Sequence, residues 1–207
     1  VNANGETALF SAVKGGSISC VEILVDNGAI IDSRNTLSRD YLGNTTLHAA
    51  VRWDAAVSSR LDIARALLSL GVDVEAQNKS GNTALSEACR TGRVDMALLL
   101  LDNGADINAT NVAGRSILAD SIQSNNEQMV RLLLSRGANP NMQENSGRSA
   151  YHDAALMRNA AIITLIRDAG ANPLARDSAG DADGQRALGA GFQRVKELGK
   201  GEVVALV

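Results

Sequence analysis

Three acids stand in step along this 207-residue chain: Glu87, Asp120 and Asp153, each 33 residues after the last. Carboxylates brought side by side can divide their pKa values, one keeping a proton that the other has lost, and that division supports acid–base chemistry. Arg90, Arg115 and Arg148 accompany them. The series therefore also reads as a solvated face of matched charges, or as a track for a basic or amide-rich segment of a partner. Other reactive groups are few: two histidines, His48 and His152, and two cysteines, Cys20 and Cys89. With no CxxC, no HExxH and no third histidine, a metal site lacks its ligands. Gly189 and Gly191 suggest a phosphate loop, but Arg194 replaces the third glycine of GxGxxG and no Gly-Lys-Ser/Thr word follows.

The elements that position these residues follow from a repeat. Gly81, Gly114, Gly147 and Gly180 are each 33 apart, and Gly104, Gly137 and Gly170 trail their partners by 23. Between them the words GNTALSEACRTG, GRSILADSIQSN and GRSAYHDAALMR rhyme, as do LLDNGADINA, LLSRGANPNM and IRDAGANPLA. A fixed period of this size means stacked supersecondary units. Within one unit, Leu85, Ala88 and Cys89 share a face of a short helix, and Val94, Ala97, Leu98 and Leu101 share a face of the next. Thr83 is placed to cap the first helix and Gly104 to end the second. Neither helix is stable alone, so each must bury its apolar face against its neighbours.

This spacing and wording resemble the ankyrin repeat family, whose unit is a β-hairpin or turn followed by two antiparallel helices. The resemblance implies an all-α solenoid of about five units, near 5–35, 41–78, 79–111, 112–144 and 145–176. Residues 177–207 would form a degenerate capping segment. The chain departs from the family in several places. The turn proline is absent, with Ala8, Thr46, Ala84, Ile117 and Ala150 in its place, and Tyr151 replaces a leucine. Extra residues around Ser33–Tyr41 should lengthen one finger, and those around Asp54–Arg60 should lengthen the link between two helices. The opening Val1-Asn2-Ala3 matches the end of a unit, as in Ile107-Asn108-Ala109, so an earlier unit and a longer parent protein are expected.

The resemblance also implies that His48 and His152 tie neighbouring turns together. It implies a concave binding face made of hairpin tips and the exposed side of each first helix: Tyr41, Leu42, Arg52, Trp53, Glu87, Arg90, Arg115, Asp120, Arg148, Asp153 and Met157. Trp53 either packs under the inserted loop or anchors a partner, and Trp and Tyr dominate interface hot spots. The expected function is a non-catalytic scaffold that binds a protein partner, or another segment of the parent protein, with no cofactor, metal or catalytic residue. One alternative is an enzyme or small-molecule site in the groove near Trp53, Glu87 and Asp120; another is a spacer with no partner. A net charge of −3 with no run of Lys or Arg argues against a nucleic-acid surface. The sequence contains no apolar run near 18 residues, so no membrane span is expected. Both cysteines are expected in the core and too far apart to bridge. That points to a reducing, intracellular compartment, cytoplasmic or nuclear.

Overall fold

The computed structural model describes residues 2, 6–31, 40–52 and 59–178. Ten helices occur among them: α1 (Ala8–Gly15), α2 (Ile18–Asp26), α3 (Thr46–Arg52), α4 (Ser59–Ser69), α5 (Ala84–Arg90), α6 (Val94–Asp102), α7 (Ile117–Gln123), α8 (Glu127–Ser135), α9 (Ala150–Met157) and α10 (Ala160–Asp168). Each odd helix packs against the even helix that follows it, and also against the next odd helix. The even helices stack likewise, giving two layers of short rods. No strand is named among the described residues; isolated bridges pair Thr110 with Ser116 and Gln143 with Ser149. No described helix is long and apolar enough to cross a membrane.

Local chemistry explains where each rod begins and ends. Side-chain caps start the first helices where the proline is missing. Thr7 accepts from the Phe10 amide, Thr83 from Ser86, Ser116 from Ala119 and Ser149 from Tyr151, each cap being worth about 1 kcal/mol. Ser86 answers Thr83 with its own hydroxyl, completing a capping box. The second helices end on glycine. Gly104 has φ 88° and the Ala105 amide donates to Leu100 O at 3.1 Å, closing the last turn.

The aliphatic core runs the length of the stack, from Leu9 and Phe10 to Ile162 and Ile166. Tyr151 lies buried in it, so its ring fills the place of the leucine it replaces. The buried stripe of α6 is Met96, Ala97 and Leu100; Val94, Leu98 and Leu101, expected on that stripe, are half-buried. The shift arises because α6 meets α5, α4 and α8 at once, so the covered face is centred between them. The cysteines also divide. Cys89 is buried against Met129, whereas Cys20 is exposed, contrary to expectation, on a helix pair that among the described residues is packed by α3 and α4 on one side.

Beyond the helices, finger-like turns hang from one another. The Lys79 amide donates to Leu42 O (3.0 Å), Val112 to Ser80 O (3.1 Å), Asn145 to Ala113 O (2.9 Å) and Ser178 to Ser146 O (2.8 Å). Within a finger, Asn78 Oδ1 accepts from the Ser80 and Asn82 amides, bending the chain as an Asx turn. The glycine after each tip is required where the next finger passes: Gly81 has φ 76°, and a Cβ there would lie 2.6 Å from Val112 N.

The two expected insertions fall largely at 32–39 and 53–58, and the expected cap at 179–207, outside the described residues. The end of the second insertion is helical, not loop, since α4 begins at Ser59. Its Arg60 is buried and donates to Val13 O (2.6 Å) and Lys14 O (2.8 Å), so a guanidinium caps the end of α1.

Candidate interaction surface

Equal spacing places Glu87, Asp120 and Asp153 at matching positions of α5, α7 and α9, but not facing solvent. They are only 4, 5 and 4 % exposed. A bare carboxylate at such depth is costly, so each has an arginine. Arg115 stands at the base of its finger, with its side chain 13 % exposed. Its Nε donates to Asp120 Oδ1 (2.9 Å), its Nη1 to Glu144 Oε2 (3.3 Å) and its Nη2 to both Asp153 Oδ2 (2.7 Å) and Ala119 O (2.9 Å). Arg148 closes the far side of Asp153 through Nη2 at 2.6 Å, and Arg90 pairs with Glu87. The three acids therefore form the inner half of an ion-pair chain, and the expectation of a solvated acidic track is corrected. The reason lies at the finger base: the residue after the finger glycine is arginine in two units, and it turns in beneath the first helix of its own unit, Arg115 reaching on to the next.

Arg115 also takes over a histidine's work. His48 Nδ1 accepts from the Thr45 amide (3.3 Å), and its Nε2 donates to Asn82 O on the next finger (2.8 Å). The equivalent position in α7 is Ala119, whose methyl group has nothing to donate to the next finger. There the reach from one unit to the next comes from Arg115 to Asp153 and Glu144. His152 Nδ1 accepts from the Ser149 amide at 3.0 Å.

The other expected site residues lie at the surface. Tyr41 and Leu42 are exposed at a fingertip, Tyr41 by 67 %. Arg52 and Arg90 project from the last turns of α3 and α5, and Met157 from the end of α9 beside exposed Leu156. Arg148 is half-buried. Val112 forms a second apolar tip. Trp53 lies outside the described residues. Sequence reasoning missed Glu144 and Arg60. Glu144 occupies the finger position of Asp40, Asn78 and Asn111, so unit-to-unit alignment could have found it. Arg60 carried no signal of its own, because it lay inside what read as an inserted loop.

Burial pushes the Asp120 carboxyl up to about 6, against the pull of Arg115 and Arg90 and with the push of Glu87. One guanidinium shared among three carboxylates does not repay the lost hydration of each. Such an acid is not a reachable catalyst, since Asp120 is enclosed and bonded to Arg115. It does predict a pH dependence. Between an ordinary 3.8 and about 6 the native chain holds a proton that the unfolded chain has released. This contribution to stability is thus complete below the lower value and lost as pH rises through the upper one. Urea unfolding at a series of pH values should show wild type losing up to about 3 kcal/mol from this group between those limits, relative to Asp120→Asn. Parallel curves for the two proteins would refute it.

A family model described as ankyrin repeats, three copies, matches the chain at residues 1–78, 53–111 and 109–177. Protein phosphatase 1 regulatory subunit 27 of Homo sapiens is 39 % identical over 82 residues, which is 40 % of this chain and 47 % of that protein. Its Mus musculus counterpart matches to the same extent. The chain thus spans about half the length of the curated relatives it matches.

Proposed function

The chain belongs to the ankyrin repeat family, a family of protein-interaction modules, and on that premise we propose that it is a non-catalytic scaffold. It binds a protein partner, or another segment of its parent chain, along the fingertips and the exposed edge of the first helices. One observation carries this reading: apolar side chains stand exposed there, at Tyr41, Leu42, Val112, Leu156 and Met157, while the neighbouring carboxylates are enclosed by arginine. Large apolar and aromatic groups on an otherwise polar rim are the usual anchors of an interface. Trp53, one residue past the end of α3, joins them in this proposal. Glu87, Asp120, Asp153 and Arg115 serve by holding the rods in line. The curated relatives are described as regulatory subunits, chains that act on another protein, which supports the same reading.

Repeat units near 5–35, 41–78, 79–111, 112–144 and 145–176, with a cap at 177–207, belong to the proposal. Five stacked helix pairs support the first part of it. So does a reducing intracellular compartment, cytoplasmic or nuclear, because an exposed unpaired thiol such as Cys20 persists best there. The test is quantitative capture on the immobilised chain. Tyr41→Ala combined with Met157→Ala should lower retention of bound proteins about tenfold, whereas Ile23→Ala on α2 should not. Retention lost only through Ile23, or through neither change, would sink the reading.

A further inference from the structure

One layer of the described surface carries both signs, with Arg65, Arg131, Arg136 and Arg167 exposed beside acids, and the other does not. Among the described residues, every exposed acid, from Glu22 and Asp26 to Glu127 and Asp168, lies on a second helix or the turn after one. The fingers and first helices expose none: Glu6, Asp40, Glu87, Asp120 and Asp153 are buried there and Glu144 is half-buried. What that layer exposes is positive. Lys14, Arg52 and Arg90 occupy one place in three successive units, nine residues after Gly5, Gly43 and Gly81. Gln123 and Leu156 follow at the same place. Lys79 adds a fourth cation on the finger that leads into α5, its ammonium 2.6 Å from Tyr41 O of the finger before.

Position in the last turn of a helix favours a cation, because the carbonyl end of the rod is negative. That preference explains one cation per helix, but not why exposed acids avoid the whole layer. The two ion pairs at the edge are also lopsided. Lys14 is 36 % exposed and its partner Glu6 is 8 % exposed; Arg90 is 44 % exposed and Glu87 is 4 % exposed. A ligand approaching this edge meets the positive half of each pair.

We infer that the edge formed by Lys14, Arg52, Lys79 and Arg90 receives an extended acidic segment of a protein, with Tyr41 and Leu42 as its apolar contact. This rests on the scaffold reading and names the chemistry of the partner. The geometry suits an extended chain. Packed helices stand about 8–10 Å apart, and a polyproline-II-like extended chain advances about 3.1 Å per residue with three residues per turn, so an acid at every third residue stays on one face and meets a cation in each unit. A protein segment suits the edge better than a nucleic acid, because each of these pairs is half-neutralised within the protein and the tips between them are apolar. Dense phosphate would find too few unshared cations.

The probes are fluorescein-labelled peptides of roughly 15 residues, with glutamate at every third position and leucine and glycine between. A lysine version and a single-stranded oligonucleotide serve as comparators, and binding is followed by polarisation. The glutamate peptide should bind the intact chain, should weaken as salt rises from about 0.05 to 0.3 M, and should outcompete both comparators. Arg52→Glu with Lys79→Glu should weaken it about tenfold or more, and Arg131→Glu on α8 should leave it unchanged. Tighter binding of the lysine peptide or of the oligonucleotide, no binding of the glutamate peptide at low salt, or indifference to the double reversal would each overturn the inference. The comparison of peptides on the unmodified chain decides the matter even if the double variant folds poorly. If tip substitutions abolish capture while the lysine peptide wins, this inference fails and the scaffold reading stands. If tip substitutions leave capture unchanged, the scaffold reading fails on its own.

Discussion

Arg115→Met should destabilise the chain by about 3–5 kcal/mol at neutral pH, the usual penalty for leaving buried partner charges behind. Methionine keeps most of the stem's packing, so the loss reports the guanidinium. Asp120 then loses its bond to Nε at 2.9 Å, Glu144 loses its bond at 3.3 Å, and Asp153 keeps its bond to Arg148. The carbonyl of Ala119 loses its donor as well. The penalty should shrink at mildly acid pH, where Asp120, already pushed up to about 6, takes a proton and no longer needs a cation. Urea denaturation at pH 7 and pH 5 reads both effects. A loss below about 1 kcal/mol at pH 7, the range of exposed pairs, would show that the network behaves as a surface feature. Arg115→Lys should recover only part of the loss, since one ammonium cannot reproduce four directed bonds from a planar fork.

Gly81→Ala should be the next most damaging change. The residue has φ 76°, where a side chain costs about 1–2 kcal/mol, and the new Cβ would lie 2.6 Å from Val112 N and 3.1 Å from Asn111 C. Those are main-chain atoms of the next finger, so the finger itself must move. The bond from the Val112 amide to Ser80 O stretches with it, adding about 1 kcal/mol. Gly104→Ala is the matched control: φ is 88°, yet nothing lies within 4 Å of its Cβ, so only the backbone strain applies. Thermal unfolding should therefore show a drop for Gly81→Ala about twice that for Gly104→Ala. Because such arrays are stabilised by neighbour contacts, the Gly81 variant should also unfold over a broader range. Equal losses at the two glycines would mean that the fingers do not constrain each other.

The sequence made the fold readable because its signals are local and repeated. Thr83 and Ser149 cap, Gly104 reverses the backbone, and a period of 33 brings like positions together. The link from His48 to the next finger also follows from its place in the repeat. What spacing could not reveal was direction. Glu87, Asp120 and Asp153 do align, but whether an aligned residue turns outward or inward depends on the side chain that comes to meet it from its own unit or the one before. Arg115 and Arg148 approach from five residues before Asp120 and Asp153 in their own units, and Arg115 also reaches 38 residues ahead to Asp153. Cys20 failed for a related reason: its helix position is a core position only when both sides of the pair are covered, and α1–α2 has a described neighbour on one side.

The main-chain bonds that hang each fingertip from the one before it have a consequence for recognition. They fix the distance between tips as firmly as helix packing fixes the distance between rods, so the two scales keep the same pitch. An acidic strand of the kind proposed would then be measured as if against a ruler: charges that recur at its pitch find every anchor, and charges at another spacing gain the first and forfeit the rest. Discrimination of this kind comes from the spacing of contacts and not from the strength of any one of them.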